Sequence, residues 1–320
     1  MERGHDLGAR SSEECTLGQF LEAWLRDYGE MNLQATTLSQ YRGVLRRDVI
    51  PYLGEIPLWD LGPEHVMDVI RRKARGGFAP STVKRVHIVL RRALGHAVQW
   101  GYLERNPAAA IDAPPDRREE GARVLGPEAV PSYLEAARRY RCYPILFTAL
   151  YTGLRQGELL GLSWTDVEPE AIRVRRSLKR TAEGVLFLGS VKTPSARRMV
   201  PLSPANRGVL DAWRARTEEG NAARGPDDLV FATSGGTPVN PRNLLRDHHR
   251  ILERAGLPRV PFHALRHTHA TMLLRAGVHP KVVGERLGHA SIRVTLDTYS
   301  HVLPSLQWEL ASRLDEMMGR

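Results

Sequence analysis

The chain has 320 residues, and its 46 lysines and arginines outnumber its 36 aspartates and glutamates, which gives a formal net charge of +10 and a pI of about 10.0. This length is sufficient for two domains, and the basic charge favours a polyanionic partner such as nucleic acid. The cysteines, Cys15 and Cys142, form neither a CxxC pair nor a zinc-binding spacing. This pattern excludes a disulfide framework and fits a reducing compartment.

No targeting or membrane segment is evident in the sequence. Residues 1–14 are polar and lack the apolar core of a signal peptide. The longest apolar run, 143–151, is far shorter than the ~20 residues that a membrane-spanning helix needs. We therefore predict a soluble cytoplasmic protein without membrane contact, associated with the nucleoid if its partner is DNA.

A helical bundle is predicted for residues 16–110, after a short disordered tail at 1–15. Thr16 and Gln19 have the spacing of a capping box, and apolar residues then recur at helical spacing. Glycine and proline residues separate this helix from those that follow. The four predicted helices span about 17–28, 37–48, 63–75 and 81–100.

The last helix of this domain has a basic polar face. Four of its residues are candidates for contacts with DNA phosphates: Lys84, Arg85, Arg91 and Arg92. For each residue taken alone an ordinary solvated helix surface is the favoured interpretation, whereas together the residues make a plausible surface for following phosphates.

A linker is predicted at residues 111–123, because Pro114 and Pro115 precede a run of mixed charge without apolar periodicity. About 13 extended residues reach roughly 40 Å, which is enough to pass around a DNA duplex. The second domain, 124–320, combines helices with short strand-like runs, so the predicted fold class is mainly α with a small antiparallel sheet. Strands are predicted near 172–176, 185–188 and 198–202, and helices near 127–140, 143–152, 156–162, 204–219, 240–255, 263–276, 279–287, 291–298 and 304–318.

The second domain contains a set of residues that indicates chemistry on a phosphodiester. Two guanidinium groups can hold a phosphate, imidazoles can move protons near neutral pH, and a phenol can act as a nucleophile. These charges make a cation unnecessary, and no HExxH or Cys/His ligand spacing occurs, so we predict neither a metal nor a cofactor. The candidate residues are Arg155, His263, Arg266, His289 and Tyr299.

Four sequence runs, in this order, resemble the motifs of the tyrosine recombinases, the phage-integrase family: TGLRQGELLGL at 152–162, HALRHT at 263–268, LGH at 287–289 and TYSH at 298–301. The likeness extends over about residues 16–310. It is greatest to integrases of phages and integrative elements of Gram-positive bacteria. The resemblance implies a helical core-site DNA-binding bundle joined to a mixed α/β catalytic domain.

The resemblance also implies the role of each candidate residue. Tyr299 is the implied nucleophile, which forms a 3′-phosphotyrosyl link and frees a 5′-hydroxyl. Arg155 and Arg266 are implied to clamp the non-bridging phosphate oxygens. His263 is implied to accept the proton of the phenol or to donate a hydrogen bond to the phosphate, and His289 is implied to donate a second hydrogen bond to the phosphate and to orient the site.

Two more residues are assigned supporting roles. Lys192 lies between two strand candidates and resembles the family's hairpin lysine, which implies a general acid, with a DNA contact or a solvated loop lysine as alternatives. Glu158 is interpreted as support for Arg155 or for the helix N-terminus, and equally as a plain helix-start carboxylate. We interpret His267 as a hydrogen-bonding core residue and assign no role to His269.

A second basic cluster, at 173–180, contains no acidic residue. Its members Arg175, Lys179 and Arg180 are candidate DNA contacts, and a solvated strand edge is the alternative. A final amphipathic helix at about 304–318 is predicted to dock on a neighbouring protomer or on its own domain.

These observations predict an integrase, that is, a site-specific DNA recombinase that integrates and excises a mobile element. The implied partners are double-stranded attachment sites, a second protomer on each site, a homotetramer in the synaptic complex, and an excision factor or host DNA-bending protein. Alternatives are a dimer- or plasmid-resolving recombinase, a non-cleaving DNA-binding protein and a metal-dependent nuclease. Because about 15 residues precede the bundle, the arm-site-binding domain of many phage integrases is predicted to be absent or the chain to be shortened.

Overall fold

The computed structural model describes residues 15–112, 125–181, 184–191, 194–219, 225, 227–299 and 318. For Pro194, Glu219 and residues 297–299 it describes the backbone alone. Most of the predicted tail and linker, Lys192 and the predicted helix at 304–318 therefore lie outside the described residues. The described chain forms two compact units, one consisting mainly of residues up to 112 and the other mainly of residues from 125 onwards.

The regular elements described in the first unit are all helices, as the sequence predicts, and the isolated β-bridge described there joins Thr16 and Pro57. The capping box is confirmed, because Thr16 Oγ1 accepts from the Gln19 backbone N–H at 3.4 Å and Gln19 Oε1 accepts from the Thr16 N–H at 3.2 Å. The first predicted helix is not one regular α-helix, since a π-helical turn at Leu25–Gly29 interrupts it. The helices are α1 (Leu17–Trp24), α2 (Glu30–Asn32), α3 (Ala35–Asp48), α4 (Ile50–Leu53), α5 (Pro63–Arg75) and α6 (Pro80–Gln99).

Several polar contacts lie within the largely apolar core of this unit, among them that of the buried His87 ring, whose Nε2 lies 2.8 Å from the Ala108 carbonyl. Trp24, which is fully buried, donates its indole N–H to Nδ1 of His96 at 2.6 Å. Asp48 and Lys73 form a buried ion pair, with 2.5 Å between Oδ1 and Nζ, and the Lys73 ammonium also lies 4.2 Å from the centre of the Phe78 ring. These contacts satisfy polar groups that would otherwise destabilise the bundle.

The second unit combines helices with two small antiparallel sheets, so the predicted fold class is confirmed. Its helices are α7 (Val130–Ala137), α8 (Tyr143–Thr152), α9 (Gln156–Leu160), α10 (Pro204–Glu219), α11 (Pro241–Arg254), α12 (Ala264–Arg275), α13 (Pro280–Leu287) and α14 (Ile292–Tyr299). Its strands are β1 (Ala171–Val174), β2 (Arg176–Arg180), β3 (Leu186–Ser190) and β4 (Arg198–Pro201).

The strand prediction was wrong in one respect. The run near 172–176 belongs to two strands, because Arg175 separates β1 from β2. β1 pairs with β4, with Ile172 opposite Val200, whereas β2 pairs with β3, with Leu178 opposite Leu188. The segment that contains Lys192 therefore connects strands of two different sheets rather than two strands that pair with each other.

Helix α8 lies at the centre of the second unit. Nearly all of its residues are buried, and it packs against α7, α10 and α12. This central position explains why the run 143–151 is apolar on every side and not along one stripe only. Within the described ranges, the structure contains no helix with the length and apolarity that a membrane crossing requires.

Candidate active site

The first part of the site is the turn that follows α8. Gly153 adopts a left-handed conformation, with φ of +66°. A Cβ atom at this position would lie 2.6 Å from Cδ2 of His269 and 2.7 Å from a methyl group of Leu287. Only glycine combines this backbone conformation with so close an approach. The turn directs the chain into α9, and Arg155 is the residue immediately before that helix.

Arg155 is fixed by Glu158 at the start of α9. The Glu158 carboxylate accepts from the Arg155 backbone N–H at 3.0 Å and from Arg155 Nη1 at 2.9 Å. Glu158 is almost fully buried, whereas 40% of the Arg155 side chain is exposed. Arg155 and Glu158 therefore form an ion pair, and the guanidinium still has an accessible face.

Arg266 lies on α12 and is 3% exposed. Its Nη1 donates to the carbonyl of Gly153 at 2.8 Å, and its Nη2 donates to the carbonyl of Leu287 at 2.7 Å. The buried guanidinium thus joins the first motif to the LGH motif. These two contacts fix both terminal nitrogens of the planar guanidinium. A lysine has a single ammonium nitrogen and could not be fixed in the same way.

The LGH motif forms the C-terminal end of α13. Gly288 has φ of +69° and caps the helix. Three consecutive carbonyls at this end accept from three arginines: that of Arg286 from Arg198 Nε at 2.7 Å, that of Leu287 from Arg266, and that of Gly288 from Arg155 Nη2 at 3.4 Å. The C-terminus of a helix carries partial negative charge, so it is a suitable place to collect guanidinium groups.

His263 and His289 are both near these arginines. Burial, followed by the charges of neighbouring His267, Arg266 and Arg155, lowers the pKa of His263 to about 4, even though the residue as a whole is exposed. Burial and the charges of Arg266, Arg155 and Arg198 likewise lower the pKa of His289 to about 4. Both imidazoles are therefore neutral at neutral pH.

Each of the two histidines is oriented by one neighbour. Nδ1 of His289 lies 2.8 Å from the hydroxyl of the fully buried Thr295 on α14. The His263 ring lies edge-on to the ring of His267, with centroids 4.8 Å apart and planes at 89°. His267 is half-buried, so its interpretation as a core residue was wrong. Among the described residues there is no group of three or more His, Cys, Asp or Glu side chains placed to hold a metal ion.

Comparison with known proteins identifies the family. The sequence pattern of the phage integrase family matches residues 123–305, and that of the phage integrase central domain matches residues 17–113. The chain belongs to the phage integrase family. A XerC-like tyrosine recombinase of Caldanaerobacter subterraneus subsp. tengcongensis is 30% identical over 332 residues, which cover 95% of this chain and 84% of the relative. The resemblance to tyrosine recombinases drawn from the motifs is therefore confirmed.

Solved structures of other family members share the fold. The Tn1549 transposon integrase in complex with transposon right end DNA is 23% identical, with a TM-score of 0.77 over 92% of this chain and 99% of its own. A lambda integrase tetramer bound to a Holliday junction is 20% identical, with a TM-score of 0.67 over 91% of this chain and 82% of its own.

The structure describes two candidate residues of this integrase-family site less completely than the arginines and histidines above. The backbone of Tyr299 ends α14, which begins shortly after His289, and nothing is described of the tyrosine side chain. Lys192 falls outside the described residues, in the connection between β3 and β4. The structure thus brings together Arg155, Glu158, His263, Arg266 and His289, and the roles of Tyr299 and Lys192 stay predictions.

The sequence did not indicate three further residues of this family member's site. Arg198 on β4 contacts Glu158, and its side chain is only 7% exposed. Arg286 donates from Nε to Nε2 of His269 at 3.1 Å, and His269 Nδ1 contacts the Leu150 carbonyl at 2.8 Å. His269 therefore has a structural role that the sequence did not reveal. The only available signal was the position of Arg198 at the start of a predicted strand.

The candidate DNA contacts on α6 have different environments. Arg85 and Arg91 are exposed, and Lys84 is half-buried. Arg92 donates to the hydroxyls of Tyr28 and Tyr41, at 3.0 and 3.2 Å, and lies over both rings. Arg92 is thus part of an aromatic cluster.

The basic cluster of the second unit is partly neutralised. No acid lies within the run, but the buried Asp166 pairs with Arg175 and Arg176, and Glu168 pairs with Arg173. Lys179 is half-buried and Arg180 is exposed, both on β2.

A row of exposed arginines on α11 was also missed. Arg242, Arg246 and Arg250 recur every fourth residue, and together with Arg259 they line a cavity of about 660 Å³. None of the residues that line this cavity belongs to the group around Glu158. Because phosphate groups attract such arginine rows, α11 is a further candidate for DNA contact.

Proposed function

We propose that this chain is a site-specific DNA recombinase that integrates and excises a mobile element through a 3′-phosphotyrosyl intermediate. The observation that carries the proposal is the convergence of Arg155, Arg266 and His289 on one end of α13. In this proposal the two guanidinium groups and the neutral imidazole of His289, which contacts Thr295 of α14, form a binding site for a phosphate that Tyr299 attacks. Family membership and the shared fold support the same activity.

The two arginines have complementary roles in this proposal. Arg155 is partly exposed and contacts the non-bridging oxygens directly, whereas the buried Arg266 supplies positive charge at the base of the site. Guanidinium groups stay protonated at any working pH and bind phosphate in a forked geometry. They therefore stabilise the negative charge that develops on the pentavalent phosphate.

The histidines and Lys192 handle the protons. The phenol oxygen of Tyr299 attacks the phosphorus while its proton passes to neutral His263, and the bond from phosphorus to the 5′-oxygen breaks. Lys192 protonates the departing 5′-oxygen, and His289 donates a hydrogen bond to the phosphate. Rejoining reverses these steps with a 5′-hydroxyl of another strand. The bond energy is kept in the phosphotyrosyl link, so ATP is not required.

The assembly we propose follows the family's known complexes. Residues 16–110 form a core-site-binding domain and 124–320 the catalytic domain, joined by the linker 111–123. Two protomers bind inverted half-sites, and two such dimers form a synaptic tetramer. In support, lambda integrase has been solved as a dimer bound to a core site and as a tetramer bound to a Holliday junction. The DNA substrate places the protein at the nucleoid. An excision factor or host DNA-bending protein completes the proposed set of partners.

The test is a covalent-adduct assay. The protein is incubated, in EDTA, with a nicked duplex that contains the attachment sequence read from DNA flanking the gene, and a protein–DNA band is sought on a denaturing gel. We expect the wild type and Tyr151→Phe to form the band and Tyr299→Phe to form none. Tyr151 is a suitable control because it is exposed and stacked on Phe147, a contact that phenylalanine preserves. A band from Tyr299→Phe, or none from the wild type, would contradict the proposal.

A second assay separates integration from resolution. Recombination between two different attachment sites supports the integrase, whereas recombination only between two identical repeats supports the dimer- or plasmid-resolving alternative. A tRNA gene or direct repeats at the ends of the flanking DNA would support integration of a mobile element.

A further inference from the structure

Arg198 donates hydrogen bonds from all three of its guanidinium nitrogens, although it does not belong to the recognised motifs. Its Nη1 and Nη2 donate to the two carboxylate oxygens of Glu158 at 3.3 and 2.9 Å. Its Nε donates to the carbonyl of Arg286 at 2.7 Å, and Nη1 also donates to the carbonyl of Ala196 at 3.1 Å. These partners lie on α9, on α13 and in the segment just before β4. Arg198 therefore joins three separate parts of the second unit.

Glu158 is shared between Arg198 and Arg155. Oε1 accepts from Nη1 of both arginines, and Oε2 accepts from the Arg155 backbone N–H and from Arg198 Nη2. Burial alone would raise the pKa of Glu158, but the hydrogen bond and charge of Arg198, with those of Arg155, lower it. The carboxylate is thus ionised, and one negative charge faces two positive charges.

This charge balance affects the substrate site. With Arg198 in place, the pair of arginines retains one net positive charge after Glu158 is neutralised. Without Arg198, Glu158 would neutralise Arg155 alone and would hold its guanidinium more strongly against the carboxylate. The attraction of Arg155 for a phosphate would then be weaker.

Arg198 also fixes the end of α13. It binds the Arg286 carbonyl, the first of the three consecutive carbonyls, and Arg266 and Arg155 bind the next two. A Cβ atom on Gly288 would lie 2.9 Å from Arg198 Nη1, so the guanidinium packs directly on that glycine. The backbone that leads into His289 therefore rests on Arg198.

We propose that Arg198 is a positioning residue for strand cleavage, which neutralises Glu158 so that the charge of Arg155 stays available to the phosphate. It also holds the α13 end beneath His289. Arg198 is buried, so it contributes through Glu158 and the Arg286 carbonyl and not by contact with DNA. This inference rests on the proposed recombinase activity.

The test measures DNA binding and cleavage separately. On the nicked attachment-site duplex, we expect Arg198→Ala to leave the dissociation constant within about twofold of the wild type and to slow single-turnover adduct formation about 100-fold, the size of effect that a misplaced catalytic group produces. Arg138→Ala is the matched control, because Arg138 is an exposed arginine paired with Glu135 three residues away. We expect that control to bind and cleave as the wild type does.

A charge-specific rescue distinguishes positioning from simple structural support. Glu158→Gln, added to Arg198→Ala, removes the uncompensated negative charge, and we expect it to restore cleavage at least about tenfold relative to Arg198→Ala. If Arg198→Ala does not fold, Arg198→Lys replaces it, because one ammonium keeps the charge but cannot bridge both carboxylate oxygens and the Arg286 carbonyl. We then expect about tenfold slower cleavage.

The outcomes are distinguishable from failure of the recombinase proposal. If the wild type forms no adduct, that proposal fails first. If the wild type forms the adduct, a wild-type rate in folded Arg198→Ala or Arg198→Lys overturns the inference about Arg198. Slow cleavage in Arg198→Ala without recovery on adding Glu158→Gln overturns it as well.

Discussion

The carbonyl oxygen of Gly153 accepts a hydrogen bond from Nη1 of Arg266, 2.8 Å away and 113 residues later in the chain. The same guanidinium bonds to the carbonyl of Leu287. Backbone carbonyls of the motifs at 152–162 and 287–289 thus set the position of the Arg266 side chain, which belongs to the motif at 263–268. Backbone conformation at these two points is therefore as important to the site as the identity of its charged residues.

Gly153→Ala tests the first of these points. The left-handed conformation costs a non-glycine residue about 1–2 kcal/mol, and the new Cβ would clash with the His269 ring. We expect the free energy of unfolding, measured in urea, to fall by at least that amount, with loss of cleavage. Gly208→Ala is the control: it lies in α10 with open space around its Cβ position, and we expect a gain of about 0.5–1 kcal/mol. Equal stability of Gly153→Ala and the wild type would contradict this account.

Arg155→Ala and Arg266→Ala should differ in stability. Both are expected to abolish adduct formation, since each removes a guanidinium that we propose binds the phosphate. Arg266→Ala also leaves two buried carbonyls without this partner, at a cost of about 1–3 kcal/mol each, whereas Arg155→Ala leaves Glu158 paired with Arg198. Thermal unfolding of both variants beside the wild type checks the difference. A larger loss of stability in Arg155→Ala than in Arg266→Ala would contradict the view that Arg266 is the more important of the two for holding the fold.

Buried neutral histidines should make the second unit sensitive to acid. Burial lowers the pKa of His248 and of His269 to about 4, from 6.5. Below pH 6.5 these two histidines bind protons in the unfolded chain but stay neutral in the folded chain. Their contribution to the free energy of unfolding is therefore full above pH 6.5 and decreases as the pH falls towards 4, by up to about 1.4 kcal/mol per pH unit for each ring. Unfolding free energies at a series of pH values measure this slope. We expect His269→Gln to reduce it, and an unchanged slope would exclude His269 as a source.

The buried ion pair of the first unit supports another comparison. Asp48→Ala leaves the Lys73 ammonium buried without its carboxylate, which we expect to cost about 3–5 kcal/mol. Arg47 also bonds to Asp48, but its side chain is largely exposed, so Arg47→Ala should cost less than about 1 kcal/mol. Chemical denaturation of both variants is the measurement. Similar losses in the two would argue against a buried pair as the main contribution.

Two neighbouring arginines on α6 should have different effects on DNA binding. Arg91 is exposed, and we expect Arg91→Ala to reduce the slope of log affinity against log salt by about 0.9, the value for one phosphate contact. Arg92 is held between Tyr28 and Tyr41, so Arg92→Ala should instead lower the melting temperature. Fluorescence anisotropy across a KCl series and thermal melts separate the two effects. An unchanged salt slope in Arg91→Ala removes that residue from the DNA surface.

The sequence was sufficient to predict the longer described helices and to name Arg155, Glu158 and Arg266, which the structure brings together. Periodic apolar residues, the Thr16 capping box and the ordered motifs are local signals, and each was visible within about twenty residues of sequence. The division of the run 171–180 between β1 and β2 was not visible, because it depends on pairing with distant strands. Arg198 was missed for the same reason. Its partners Glu158 and Arg286 are 40 and 88 residues away, and no local pattern encodes such contacts.

The row of carbonyls at the end of α13 has a consequence for synthesis of the protein. A ribosome completes the segments that carry Arg155, Arg198 and Arg266 before it reaches residues 286–288. Until those last acceptors emerge, the three guanidinium groups have no common anchor. A chain synthesised only as far as Arg266 therefore lacks the three carbonyls on which these guanidinium groups converge, so this part of the site assembles only after residue 288 has emerged.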